Sequence, residues 1–578
     1  MNRSTNRVPI GHIRHSLAHL LAHAVQEQFP GAKFAIGPVI EHGFYYDFLL
    51  PRPVTEQDLP ALEKRMRALV KKGLPFTKLA PDAPEAKASL TNQPYKRELI
   101  DDLKREKAAV TFYTVGDFTD LCRGGHVENT RDIPADAFAL DRIAGAYWRG
   151  SEKNDMLTRI YGLAFATAPE LQDHLAQRKE AEARDHRKLG KELDLFSFDA
   201  VAPGAVFWHP NGMIIWNELE RLLRDTLIPA GYQEVQTPLM VKPELFNRSG
   251  HLRHYKDNMF RVEGKGEEFY LKPMNCPESA VIFATKRHSY RDLPVRLAET
   301  GRIHRNELSG TLGGLFRVRQ ITQDDGHLYC RPDQLEAEIT NVLKLSNRIY
   351  TLFGLKPSYY LSTKPDDAMG SPALWKQAET ALTRALTANA LDFAEKPKDG
   401  TFYAPKIDID ITDSLGRRWQ LCTIQADLVM VPSLPGVEYT DADGKTQHPV
   451  VVHRAIFGSF ERFIGILVEH YAGAFPTWLA PVQVAILSVG KTHIAHAEKL
   501  AEAFRTHGIR VATLTSNETV GYKIRHAVQQ KIPYVLVIGN KEIGADTVTV
   551  RARGSEEQKT LKAEDFIDAV RAEIEQRR

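Results

Sequence analysis

At 578 residues the chain is longer than one hydrophobic core supports, so about three or four domains are expected. Seventy-six basic against 73 acidic side chains leave a net charge of +3, which excludes a polycation; a nucleic-acid partner must meet locally basic surface. Four scattered cysteines exclude a disulfide framework. No apolar run reaches the roughly 18 residues of a membrane span, and "MNRSTNRVPIGHIRHS" has no secretory hydrophobic segment, so a cytoplasmic location is expected.

In chain order, residues 1–167 read as mixed α+β. A helix over about 13–29 contains "HSLAHLLAH", whose His15, His19 and His23 are four apart and share one face. A strand "GFYYDF" and a charged helix around "EQDLPALEKRMRALVKKG" follow, then "LCRGGH", which spaces Cys122 and His126 in the same way. Histidine and thiolate are zinc's preferred ligands. A metal site and histidines packed along a helix face are both open readings here. Residues 168–195 are polar and charge-rich with little apolar face, as expected of a helix that links domains.

Residues 196–480 contain a helix at "NELERLLRDTLIPAGY" and then consecutive strands without intervening helices, which predicts an antiparallel sheet. From residue 481 strands and helices alternate to the end, predicting a small mixed α/β domain.

No GxxxxGK[ST] and no GxGxxG opening a helix occurs, so neither a P-loop nor a Rossmann site has support. The chemistry sits in "ETGRIHRNELSGTLGGLFRVRQITQDDGH". Arg305 and Glu307, two apart, point the same way on a strand, and a Gly-rich loop leads to a returning strand with Arg317 and Arg319. A phosphate suits arginine's planar fork, and an adenine amino group suits a carboxylate. In "VVVHRAIFGSFERFIGILVEH" a strand enters a helix through Gly458, with Arg462 in the first turn, where anions are favoured.

An arginine–x–glutamate hairpin with a returning arginine, plus a glycine–helix arginine, resembles the class II aminoacyl-tRNA synthetases. Their preceding motif is matched by "LLRDTLIPAGYQEVQTPLM" with Pro238. "LKPMNCPES", the hairpin and "FPTWLAPVQV" are similar to the threonyl-tRNA synthetase family over nearly the whole chain. The resemblance implies an editing domain (1–167), a linker helix (168–195), an antiparallel-sheet catalytic domain (196–480) and an α/β anticodon-binding domain (481–578). It implies activation of threonine with ATP, transfer to tRNA(Thr), hydrolysis of mischarged seryl-tRNA(Thr), and a homodimer.

Residue by residue, the resemblance implies one zinc on Cys276, His327 and His453, whose separations no spacing rule would find. An open fourth position takes threonine's amino and hydroxyl groups. Valine lacks the hydroxyl and is rejected by roughly 10⁴–10⁵ at comparable sites, whereas serine lacks only a methyl, about 1–3 kcal/mol, so a second hydrolytic sieve is expected. Arg305 contacts the α-phosphate and the amino-acid carboxylate, Glu307 the adenine, and Arg317 and Arg462 the γ-phosphate with Mg²⁺. Gln323, Asp325 and Tyr403 line the threonine pocket, Lys406 faces the substrate, and His251 approaches the terminal ribose of the tRNA. His15, His19, Cys122, His126, Tyr46, Lys96 and Asp120 form the editing site, and Asn517, Glu542 and Arg551 read anticodon bases.

The chain departs from the family pattern in three places. Only a short stretch precedes "RHSLAH", so the family's N-terminal ubiquitin-like domain is expected to be lacking. Glu278–Ser279 replace the usual glycine–histidine after "NCP", and "WQLCT" replaces "WQCGT". These changes motivate one alternative, a duplicate enzyme resistant to an active-site inhibitor. Others are a non-catalytic tRNA- or amino-acid-binding regulator, a zinc hydrolase on the N-terminal histidines, and a prolyl or seryl enzyme.

Overall fold

A computed structural model describes residues 8–578, which form two compact units, one ending at Lys179 and one running from Glu180 to Arg578. The first is α+β. Its helix Ile10–Gln28 is buried on every side from Ser16 to Val25, taking Ser16, His19 and His23 inside together with its leucine, alanine and valine side chains. Helix Leu59–Lys72 presents Leu59, Leu62, Met66, Leu69 and Val70 to the same core and stops at Gly73, whose φ of 69° is the left-handed conformation glycine adopts freely. A sheet in the order Lys33–Phe34, Gly43–Leu49, Met156–Ala164 and Phe138–Tyr147 closes this core. A second sheet of Phe76–Leu79, Phe112–Val115 and Phe118–Leu121 carries Asp120 and leads into Cys122.

The second unit is built on an eight-stranded sheet. Its order is Gln233–Glu234, Val295–His304, Gln320–Cys330, Val450–Ala455, Arg418–Asp427, Lys406–Thr412, Lys356–Ser362 and Phe393–Lys396. Pairing is antiparallel throughout except at the two edges, which pair parallel. Helices Pro210–Leu227, Leu335–Leu352 and Phe460–His470 contribute side chains to the main core with this sheet. Period-2 alternation sends Gln323, Asp325 and His327 to one face, and Thr322, Asp324 and Gly326 to the other.

Toward the C-terminus of this unit, a five-stranded sheet runs Val511–Leu514, Val484–Ser488, Tyr534–Ile538, Thr547–Ala552 and Gln558–Lys562. Its first three strands are parallel and its last two pairings antiparallel, so it is mixed α/β. Among the described residues no helix is long and apolar enough to cross a membrane.

Two local expectations are corrected. The polar segment 168–195 is two helices, Ala168–Arg184 and His186–Glu192, because Asp185 caps the second by accepting the Arg187 N–H. Arg305 and Glu307 are not on a strand: strand Val295–His304 has ended, and the Glu307 N–H donates to the Arg305 carbonyl in a tight turn. Arg317 and Arg319 likewise precede the returning strand, which begins at Gln320.

Candidate functional site

Three side chains distant in sequence meet on the open face of the central sheet. Cys276 begins helix Cys276–Phe283, while His327 and His453 sit directly opposite each other on neighbouring strands. All three are buried, and their ligand atoms lie within 4.8 Å of one another. His453 Nε2 donates to Asp427 Oδ2 at 3.0 Å, and Asp427 is itself fixed by the backbone N–H groups of Val429, Met430 and Val431. That bond assigns the tautomer and leaves His453 Nδ1 as a lone pair 3.2 Å from Cys276 Sγ. His327 Nε2 is buried with no hydrogen-bond partner among the described residues. Burial pushes the Cys276 thiol well up and the His327 ring well down. One thiol and two imidazoles with an orphaned nitrogen are what a zinc site with one open position requires.

Beside the trio lies a cavity of about 460 Å³, lined by Arg305, Glu307, Arg317, Arg462, Gln323, Tyr403 and Lys406 among others. Three guanidinium groups on one cavity make an anion site. Burial, followed by Arg305 and Arg317, lowers the Arg462 pKa from its ordinary value. Arg462 Nε donates to the Phe316 carbonyl at 3.1 Å, and Arg305 Nε donates to that of Pro273 at 3.4 Å. Glu307 pairs with Arg317 at 2.7 Å, and Lys406 with Asp408 at 2.8 Å. Asp325 accepts from Asn275 Nδ2 at 2.9 Å, and burial pushes its carboxyl up. The Tyr403 hydroxyl donates to Gln425 Oε1 at 2.5 Å.

His251 is fully buried, its Nδ1 2.8 Å from the Ser249 hydroxyl and its ring 5.7 Å from and perpendicular to that of Phe402; it does not itself line this cavity. The sequence reading missed Asp427 and Asn275. Asn275 had a signal in its adjacency to Cys276, but Asp427 had none, since only the sheet register brings it to His453.

In the N-terminal unit, His15, His19, Cys122 and His126 also have ligand atoms within 4.8 Å of one another. Cys122 Sγ is 3.4 Å from His15 Nε2 and 3.1 Å from His126 Nε2. Burial, then His19 and His15, pushes the His126 ring down to about 2, and burial pushes the Cys122 thiol up to about 11. Asp120 accepts from Tyr46 Oη at 2.6 Å and from Lys96 Nζ at 2.5 Å. His15, His19, Tyr46, Lys96, Asp120 and Cys122 all line a cavity of about 570 Å³, which His126 does not line. Neutral imidazoles and a lysine on a roomy cavity can orient a water and stabilise an oxyanion.

In the C-terminal α/β region Asn517 is exposed in a loop and Arg551 is half-buried on strand Thr547–Ala552. Both Glu542 oxygens are engaged, one by the Gly539 N–H at 2.9 Å and one by Thr549 Oγ1 at 2.8 Å. Glu542 therefore shapes its helix start, while each of its carboxylate oxygens has a second lone pair.

Comparison with known proteins gives three matching family profiles. Residues 260–471 match the tRNA synthetase class II core domain (G, H, P, S and T), residues 483–573 the anticodon binding domain, and residues 110–161 the threonyl and alanyl tRNA synthetase second additional domain. Threonine–tRNA ligase of Thiobacillus denitrificans is 46% identical over 565 residues, covering 97% of this chain and 88% of the relative. That of Thermotoga maritima gives the same identity and coverages. Among solved structures, the RNA binding domain of threonyl-tRNA synthetase from Cryptosporidium parvum matches with TM-score 0.66 and 39% identity, covering 67% of this chain and 98% of that one. A putative threonyl-tRNA synthetase from Aeropyrum pernix matches with TM-score 0.59 and 29% identity, covering 68% and 96%.

Proposed function

The chain belongs to the threonine–tRNA ligase family of class II aminoacyl-tRNA synthetases, and from that premise we propose how its residues divide the work. The cavity at the central sheet takes ATP and threonine and makes threonyl-adenylate, which is transferred to the 3′ end of tRNA(Thr). The cavity at His15 and His19 hydrolyses seryl-tRNA(Thr). The observation that carries this is the convergence of Cys276, His327 and His453 beside a three-arginine cavity.

Cys276, His327 and His453 would hold a zinc ion, which would supply Lewis-acid chemistry toward threonine's amino and hydroxyl groups. Asp427 keeps the His453 lone pair facing Cys276. Asp325, held by Asn275, lies close to His327 and accepts from the substrate hydroxyl. Arg305 binds the α-phosphate and neutralises charge as the threonine carboxylate attacks. Glu307 exchanges its pairing with Arg317 for the adenine amino group, which frees Arg317 to join Arg462 and Mg²⁺ at the γ-phosphate. Positioning and charge neutralisation supply the catalysis.

In the editing cavity, Lys96 and Tyr46, both fixed on Asp120, bind the terminal nucleotide while a neutral imidazole takes the proton of the attacking water. The boundaries proposed are 1–167 for editing, 168–195 for the link, 196–480 for catalysis and 481–578 for anticodon binding by Asn517, Glu542 and Arg551. A homodimer and a cytoplasmic location belong to the same proposal; the dimer is supported by the exposed apolar side chains Ile228, Leu239 and Met240. The test is aminoacylation of tRNA(Thr). Threonine is charged stably, and serine is charged and then released; failure to charge threonine overturns the reading.

A further inference from the structure

Asp185, His186 and Glu469 form a third close cluster of potential ligands, yet its donor atoms are already engaged. Asp185 caps its helix and pairs with Arg187. His186 is buried, and its Nδ1–H donates to Glu469 Oε1 at 2.6 Å, a carboxylate oxygen that also accepts the His186 backbone N–H at 3.0 Å. The other Glu469 oxygen is held by Arg417. With its proton on Nδ1, His186 has a lone pair at Nε2, and that nitrogen accepts the Leu315 backbone N–H at 2.9 Å. Leu315 lies in the Gly-rich turn between Glu307 and Arg317.

The fit at this turn is close. Gly314 has φ of 53°, and a Cβ there would lie 2.1 Å from His186 Nε2. The next residue, Phe316, has its ring between those of His186 and Trp419, at centroid distances of 4.3 and 4.2 Å. Its carbonyl accepts from Arg462 Nε, and its side chain lines the cavity assigned to ATP. The turn closes on itself through the Gly313 N–H donating to the Arg317 carbonyl at 3.1 Å.

We propose that His186 is a positioning residue for ATP: Glu469 fixes its tautomer, and its Nε2 holds the turn that presents Phe316 and Arg317 to the nucleotide. This rests on the reading of that cavity as the ATP site. His186 does not line that cavity and acts only through the Leu315 N–H and the Phe316 ring. Without the acceptor, a buried N–H is left unpaired and the turn is free to open.

The test is threonine-dependent ATP–pyrophosphate exchange on the full chain, with KM measured separately for ATP and threonine in His186→Ala, His186→Asn and His186→Gln. Asn retains a donor near the Nδ1 position only, whereas Gln reaches the Nε2 position and retains the acceptor. ATP KM rises about tenfold or more in Ala and Asn and clearly less in Gln, with threonine KM nearly unchanged. An ATP KM near the unaltered value in all three, equal effects of Asn and Gln, or a parallel rise in both KM values overturns the proposal. Should His186→Ala not fold, the comparison of Asn with Gln decides. Absence of exchange in the unaltered chain overturns the ATP reading itself, a different outcome from ordinary exchange with insensitive variants.

Discussion

Asp427 holds His453 from behind: its Oδ2 accepts the ring's Nε2–H at 3.0 Å, so the opposite nitrogen faces Cys276. Asp427 is fully buried and tied to three consecutive backbone N–H groups. Asp427→Asn retains the volume but weakens the anchor, and metal affinity should fall about 10–100-fold. Titration with a zinc chelator checks this. Equal zinc retention in the two proteins would remove Asp427 from the account.

Arg462 projects from the first turn of helix Phe460–His470 into the cavity that Arg305 and Arg317 share. Arg462→Gln should lower kcat/KM for ATP about 10²-fold, equivalent to about 2.7 kcal/mol of transition-state stabilisation. Deacylation of seryl-tRNA(Thr) by the same variant should be unchanged. Loss of both activities together would indicate misfolding.

The editing reading separates the two activities in the opposite direction. His19→Ala or Lys96→Ala should leave threonine charging within about twofold while seryl-tRNA(Thr) accumulates, since removing a general acid–base group costs about 10²–10⁴-fold. Acid gel separation of charged tRNAs reads this directly. Rapid seryl-tRNA release by both variants would refute the assignment.

His19 is 3% exposed, and burial first, then His15 and Lys96, holds its ring well below the ordinary value. Its folded pKa is depressed, so below about 6.5 the unfolded chain binds a proton that the folded chain refuses, and stability falls as pH drops. The slope is about 1.4 kcal/mol per pH unit for one such ring. Thermal unfolding of the full chain between pH 7.5 and pH 5 should show a low-pH loss that His19→Phe reduces. An unchanged slope would mean the ring protonates in place.

Both carboxyl oxygens of Glu278 are buried without a hydrogen-bond partner among the described residues. Removing such groups relieves about 1–3 kcal/mol of desolvation. Glu278→Met should therefore raise the melting temperature by a few degrees. A lower melting temperature would mean that the carboxylate has a partner in solution.

Much of this was legible in the residues. Arg305, Glu307, Arg317 and Arg462, which share one cavity, could be singled out because anion recognition draws on few residue types and the motifs fall in a fixed order. The antiparallel sheet was legible where strands follow one another directly, as Val295–His304 into Gln320–Cys330 and Lys406–Thr412 into Arg418–Asp427, but the expected lack of intervening helices is corrected: helices Leu335–Leu352 and Pro372–Ala388 separate other strands of the sheet. The metal trio carried no local signal: His327 and His453 become neighbours only through the pairing of strands Gln320–Cys330 and Val450–Ala455. His186 was hidden for a related reason. Its segment reads as polar linker, and only the packing of helix Phe460–His470 brings Glu469 to it. The burial of His251 is a tertiary fact, whereas the capping contact between Glu542 and Gly539 spans three residues and is local.

The central claim is that Cys276, His327 and His453 hold a zinc that selects a β-hydroxy amino acid. Amino-acid-dependent ATP–pyrophosphate exchange, run with threonine, serine and valine on metal-loaded and chelated protein, tests it most directly. The expected result is about one zinc per chain, exchange with threonine and more weakly with serine, valine lower by roughly 10³-fold or more, and no exchange after chelation. Full exchange in zinc-free protein, or valine activated as well as threonine, would contradict it.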